Sequence, residues 1–234
     1  MKTLKLSITF FILFTFTSDC FSQKDNIFFW KINTNNEKVI FLSFDDGPGE
    51  YTKEILVILK KYDIKAIFFV LGELAKFRQD IIREIVRDGH IIGSHTYSHK
   101  NFYQLQKNNT IPQLKKILVD ELEKTEAELK KILTHNFKIQ FLRMPNGYYR
   151  QWMDEVIMHK FGYKVINWTF GCDWHNYTED EMFKKYINAL QPGGIYLFHD
   201  GGKHRDRTVK VLERFINYCL EKKYKFGHLN DWIK

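Results

Sequence analysis

Between Lys38 and Leu229, seven short strand-like runs alternate with helical ones, and this alternation restricts the chain more than any other feature. The strand-like runs are Lys38–Phe44, Lys65–Val70, His90–Ser94, Phe141–Met144, Tyr163–Trp168, Gly194–Phe198 and Lys225–Leu229. The helical runs are Tyr51–Tyr62, Phe77–Asp88, Ile111–Leu133, Trp152–Phe161, Glu179–Leu190 and Thr208–Lys223, with helical spacing clearest over Glu121–Lys130. Strands separated by helices return over the face of a sheet, so the pattern predicts a parallel α/β fold. At 234 residues, 44% hydrophobic and 16% aromatic, the chain can fill one core. No internal repeat, low-complexity tract or interdomain linker divides it. Residues 23–37 are polar and Asn-rich and read as a loose lead-in, which leaves 38–234 as the folded domain.

Residues 1–22 read as a signal peptide, with a retained N-terminal anchor as the second reading. Lys2 and Lys5 precede an apolar core, Leu6–Phe16, that is too short to favour a spanning helix. Cys20 and Ser22 stand at the small-residue positions of a cut before Gln23. The protein is therefore expected to be exported, to the periplasm, cell envelope or medium, and to touch a membrane only if that segment stays. The formal charge is +8, and loss of Lys2, Lys5 and Asp19 with the segment leaves +7. The lysines are spread along helical runs without a dense basic tract, which describes a solvated surface and no nucleic-acid partner. Only Cys172 and Cys219 then remain, too few for a disulfide framework; one bridge or two free thiols would both suit an exported protein. Asn108, Asn167 and Asn176 open glycosylation sequons, but Asn167 lies in a predicted strand, so these read as chance matches. A monomer is expected.

The chemistry gathers at strand ends. Val39–Phe44 runs as a buried strand into Asp45, Asp46, Gly47 and Pro48. Two adjacent carboxylates there repel unless a metal, a cation or a shared proton holds them; the bland alternative is a turn capped by Asp46. His95 and His99 follow the third run, four residues apart, a spacing that lets both imidazoles reach one ion. With a carboxylate they form a three-ligand site with open positions, suited to zinc or, as the main rival, iron. Arg143 ends the fourth run and is placed to pair with Asp45 or Asp173. Trp174, beside Asp173, could wall a sugar pocket. His199 ends the sixth run as a fourth ligand, a general acid or a packed core residue. All of these fall at carboxyl ends of strands, the edge where barrels of parallel strands carry active sites.

In order, Ser43-Phe-Asp-Asp-Gly-Pro48, Ala66-Ile-Phe-Phe-Val-Leu-Gly72, Ile92-Gly-Ser-His-Thr-Tyr-Ser-His99, Arg143-Met-Pro-Asn-Gly147, Asp173-Trp174 and Leu197-Phe-His-Asp-Gly-Gly202 make the chain resemble the polysaccharide deacetylases, carbohydrate esterase family 4. The resemblance covers about residues 38–230. It implies a distorted (β/α) barrel of seven parallel strands and metal-dependent removal of acetyl groups from N-acetylglucosamine-containing polymers such as peptidoglycan, chitin oligomers or an exopolysaccharide. It implies Asp45 as catalytic base, Asp46, His95 and His99 as ligands of Zn2+ or another divalent ion, and Arg143 as the residue orienting the base. The Asn146 N–H becomes an oxyanion donor, Asp173 the support of His199, His199 the general acid, and Trp174 and Leu197 the walls around the acetyl methyl. Three positions depart from the family pattern: Met144 stands for a usual proline, Phe170 for a frequent aspartate, and Cys172 adjoins Asp173. Rival functions are an O-acetyl xylan esterase, a non-catalytic carbohydrate-binding protein that keeps its metal, and a non-heme iron oxygenase.

Overall fold

The computed structural model describes residues 27–233; the targeting segment read at 1–22 lies outside the described residues. Nine strands form the sheet: β1 Phe28–Phe29, β2 Val39–Gly47, β3 Ile67–Val70, β4 Ile91–Ser94, β5 Phe141–Leu142, β6 Lys164–Ile166, β7 Phe170–Gly171, β8 Ile195–His199 and β9 Lys225–Phe226. They run in the order β1-β6-β5-β4-β3-β2-β8-β7, with β9 beside the start of β2, and every strand pairing is parallel. β1 and β7 stand at the two ends of that order, so the sheet curls into a distorted barrel with an open edge. All seven expected strands are present. The two additions, β1 and β7, are two residues long; β1 lies in the short apolar run Ile27–Trp30 within the polar lead-in, and β7, Phe170–Gly171, holds one apolar side chain.

Strand alternation explains the core. Along β2, Ile40, Leu42 and Phe44 pack outward with the helices, while Val39 and Phe41 point into the barrel. Inside, they meet Ile67, Phe69, Phe141, Ile166 and Ile195, with Leu229 and Ile233 in the same cluster. Ser43 and Asp45 continue this inner face toward the carboxyl end, where polar groups replace the apolar ones. Ile32 belongs to the inner core and Thr34 is buried, so the lead-in from Phe28 onward is a built part of the barrel rather than a loose segment.

The helices are α1 Thr52–Lys61, α2 Gly72–Phe77, α3 Gln79–Arg87, α4 Phe102–Leu105, α5 Ile111–Ile132, α6 Glu179–Asn188, α7 Asp206–Glu221 and α8 Leu229–Trp232. The first turns of α5 and α6 are closed by capping boxes, Thr110 with Gln113 and Thr178 with Glu181. The helix expected over Phe77–Asp88 is α3; α2, which precedes it, is a further helix, separated from α3 at Arg78, whose φ of −129° and ψ of 48° leave the helical region. The first N–H groups of α2, which have no acceptor within the helix, are taken by a loop: Gly72 and Glu73 donate to the carbonyls of Thr96 and Tyr97. The expected helix over Trp152–Phe161 is a 3-10 turn followed by a π-helical turn, Glu155–Lys160; nothing in its residue pattern marks the wider winding. Cys172 and Cys219 are buried free thiols, not a bridge. No helix among the described residues is long and apolar enough to cross a membrane.

Candidate active site

At the carboxyl end of the barrel, Asp45, Asp46, His95, His99, Asn146, Trp168, Trp174, Leu197, His199 and Arg205 line one cleft of about 370 Å³. On a regular strand Asp45 and Asp46 would point to opposite faces. Here the register of β2 slips between Asp45 and Gly47, and Asp46 takes the left-handed region at φ 68°. This bulge turns both carboxylates into the cleft. It also brings the Asp46 carbonyl against Gly201, where an added Cβ would sit 1.8 Å from that oxygen.

Asp46 Oδ1 lies 3.4 Å from His95 Nε2 and 3.4 Å from His99 Nε2. Donors about 2.1 Å from a tetrahedral zinc stand about 3.4 Å from one another, so this spacing suits the ion. Asp46 Oδ1 is buried yet accepts no hydrogen bond, a cost that a cation would remove. Burial pushes the Asp46 carboxyl up, but His95, with His199 and His99, outweighs it and holds the group well below the usual carboxylate range. His95 Nδ1–H donates to the Arg143 carbonyl at 2.7 Å, which fixes the ring and aims its Nε2 at Asp46. Among the described residues, these three form the one group of histidine, cysteine and carboxylate side chains close enough to share an ion.

The loop carrying the histidines is held in an unusual shape. Thr96 and His99 are left-handed at φ 67° and 55°, a conformation that costs a non-glycine residue about 1–3 kcal/mol. Glu121 of α5, 1% exposed, holds this shape. Its carboxylate accepts from the N–H groups of Tyr97 and Ser98 at 3.0 and 2.8 Å and from Ser98 Oγ at 2.8 Å.

Arg143 is fully buried and pairs with Asp45 rather than Asp173. Nη1 donates to Asp45 Oδ1 at 2.8 Å and to Ser43 Oγ at 2.9 Å, while Nε and Nη2 donate to the carbonyls of Ile166 and Asn167. The guanidinium stacks 4.3 Å over the Phe69 ring. Gly93 makes room for that ring; a Cβ there would lie 2.6 Å from it. Truncating Phe69 to alanine would cost about 3–5 kcal/mol and unseat Arg143. A buried guanidinium with its donors satisfied is a rigid clamp on Asp45.

Opposite stands His199, whose Nδ1–H donates to Asp173 Oδ1 at 2.7 Å and leaves Nε2 toward the cleft. Asp173 Oδ2 accepts from the His199 N–H at 2.8 Å and from Thr208 Oγ1 at 3.0 Å. Burial disfavours the charged imidazole, but Asp173, with Asp45 and Asp46, outweighs it and raises the His199 pKa above its ordinary value. His199 is half-buried at the cleft and lies outside the Asp46–His95–His99 cluster. The Trp174 ring stands edge-on to it at 5.5 Å. Asn146 sits in the turn after β5 at φ 57°, where Gly147 and Tyr148 donate to Met144 and Pro145. Met144 is fully buried, Phe170 lies in β7, and burial beside Asp173 pushes the Cys172 thiol up to about 12, so it stays neutral beside the acid.

Sequence reasoning missed Glu121, Trp168, Arg205, Thr208 and Asp200. Asp200 follows His199, accepts from Thr52 Oγ1 at 2.5 Å, and is pushed by burial up to about 7.

A family model described as polysaccharide deacetylase matches residues 32–166. The chain belongs to the polysaccharide deacetylase family. It is 27% identical over 209 residues to a peptidoglycan-N-acetylglucosamine deacetylase of Bacillus cereus, covering 88% of this chain and 92% of that one. The solved structure of the Bc1960 peptidoglycan N-acetylglucosamine deacetylase, in complex with 4-naphthalen-1-yl-N-oxidanyl-benzamide, superposes with a TM-score of 0.78 at 28% identity. That match spans 89% of this chain and 93% of the other. Wild-type BA3943, a pseudoenzyme of the same esterase family from Bacillus anthracis, superposes with a TM-score of 0.75 at 26% identity over 89% of this chain and 69% of its own. Because that deacetylase fold includes a pseudoenzyme, what this chain does at its own cleft rests on its own residues.

Proposed function

We propose that this protein is an exported, zinc-dependent hydrolase that removes N-acetyl groups from an N-acetylglucosamine-containing polysaccharide. The observation carrying the reading is the junction, in one cleft, of an Arg143-clamped Asp45, the Asp46–His95–His99 group and the Asp173-backed His199. A divalent ion bound by Asp46, His95 and His99 would supply Lewis acidity, drawing electrons from the acetyl carbonyl and acidifying water. Asp45, held toward the cleft by Arg143, takes the proton of the attacking water. The Asn146 N–H donates to the carbonyl oxygen as it gains charge. His199 Nε2–H gives its proton to the departing sugar amine, which is a poor leaving group without it, and Asp173 stabilises the imidazolium beforehand. Trp174 and Leu197 enclose the acetyl methyl. Export is supported by Lys2, Lys5 and the apolar Leu6–Phe16 core, and the catalytic domain is read as 38–234 with the preceding strand built in.

The test is acetate release from a panel of peptidoglycan, chitin oligomers, acetylated xylan and exopolysaccharide. Release from the N-acetylated polymers, abolished by chelation and restored by zinc, is expected. Turnover of acetylated xylan alone, surviving loss of His199, would identify an O-acetyl esterase instead. Metal content without acetate release from any polymer would leave a carbohydrate-binding protein.

A further inference from the structure

A second hollow, of about 450 Å³, lies beside the catalytic cleft along the open edge of the barrel, between β7 and α6. β7, which it borders, has a paired neighbour, β8, on one side only. Its lining includes Gly171 and His175 at the rim and Lys185 and Asn188 on α6.

A line of rings joins the two spaces. The Trp174 ring is 5.5 Å from His199, His175 is 5.2 Å from Trp174, and Tyr177 is 5.3 Å from His175. Lys185 Nζ ends the line, 4.6 Å over the Tyr177 ring. Trp174 is 44% exposed and His175 is exposed, so these rings reach solvent, where a chain could lie against them. Flat apolar rings with polar edges suit the alternating faces of sugar residues.

The charges around the hollow are sorted. Glu179 pairs with Lys210 at 2.9 Å, Asp180 with Arg214 at 2.8 Å, and Glu181 is taken by the N–H and hydroxyl of Thr178. Lys185 has no ion pair among the described residues. Its contacts are the Tyr177 ring and the field of Glu181 one turn earlier, so its charge, not neutralised by an ion pair, is a counter-charge for an anionic group on whatever occupies the path.

We infer that this hollow is a second glycan subsite, and that Lys185 in it receives a sugar bearing a carboxylate. The inference rests on the polysaccharide reading above. The carboxylate is a lactyl ether or a uronic acid, two sources of the same chemistry. The subsite makes the protein selective for acidic polymers over uncharged N-acetylglucosamine oligomers.

The experiment compares wild type with Lys185→Gln and Lys185→Glu on three chains. These are peptide-free peptidoglycan strands, a polymer alternating N-acetylglucosamine with glucuronic acid, and an uncharged N-acetylglucosamine oligomer. Acetate release and calorimetric affinity are both read. Lys185 is an exposed side chain, so the variants should fold. Lys185→Gln is expected to weaken binding and raise KM about two- to fivefold on one acidic chain, as for a single exposed charge pair, with kcat and the neutral oligomer unmoved. Lys185→Glu should do more, and added salt should erase the difference. The arm that responds names the source of the carboxylate. Equal affinities of wild type and Lys185→Gln for all three chains would overturn the subsite. Absence of acetate release with a Lys185-dependent affinity would sink the deacetylase reading and leave the subsite standing.

Discussion

The two walls of the catalytic cleft are held in opposite ways. On the ligand wall, backbone shape does the holding: Asp46, Thr96 and His99 all sit at positive φ, and Glu121 and the start of α2 pin the loop from outside. On the acid wall, side chains do it: one carboxylate, Asp173, accepts from His199 twice and from Thr208 once. The first wall is a strained conformation, part of whose cost a cation bound by Asp46, His95 and His99 would offset. The acid wall is electrostatic, setting the proton affinity of one imidazole. Damage to the first should therefore appear in metal affinity, and damage to the second in pH dependence.

The largest effect expected comes from removing the ligand wall. Asp46→Ala combined with His95→Ala should leave metal far below one equivalent by elemental analysis and acetate release at background. Near-stoichiometric metal in that variant would place the ion elsewhere.

A smaller but more diagnostic effect is expected on the acid wall. The raised His199 pKa keeps the imidazole protonated to higher pH, so activity that needs its proton falls as pH rises through that pKa. Asp173→Asn removes the main group raising it and leaves burial unopposed, so the alkaline fall should move to lower pH. Metal content should stay near that of wild type. A pH–rate profile of kcat/KM with an unmoved alkaline limb would dissociate His199 from the proton transfer.

The smallest of the three effects belongs to Glu121→Gln. The amide retains one acceptor for the Tyr97 and Ser98 N–H groups but loses the charge. Weakening of metal binding by about 10–100-fold, the usual worth of a group that orients ligands, is expected in a chelator competition assay. Activity should return with excess metal. Unchanged metal affinity would mean that the left-handed turn holds itself without Glu121.

How much of this was legible in the chain follows the same division. Asp45, Asp46, His95, His99, Arg143, Asp173 and His199 stand at strand ends, so alternation of elements alone gathers them at one edge. What periodicity does not contain is conformation. Asp46 at φ 68° and His99 at φ 55° are ordinary residues in a region that sequence leads one to expect for glycine. Glu121 opens the clearest helical run, and among so many charged neighbours it reads as solvent-facing. Only the packing of α5 on the barrel turns it inward. Thr208 is the third residue of α7, Asp206–Glu221, and becomes a donor to Asp173 only because that helix start lands beside β8. Trp168 was read as the end of a strand, and its place in the cleft comes from the bend after β6. The lead-in reads as loose because its polar residues outnumber Ile27–Trp30, the short apolar run that carries β1.

The division of labour between the two adjacent aspartates is the centre of this reading, and metal content measured beside activity tests it most directly. Asp45→Asn keeps the size of the side chain and much of its bonding to Arg143, so the protein should bind metal as wild type does. Its acetate release should fall by about 10²–10⁴-fold, the usual worth of a general base. Asp46→Asn should lose metal first and recover part of its activity when metal is supplied in excess. An Asp45→Asn protein without metal, beside an Asp46→Asn protein that keeps both metal and turnover, would reverse the two roles and contradict the mechanism proposed for the cleft.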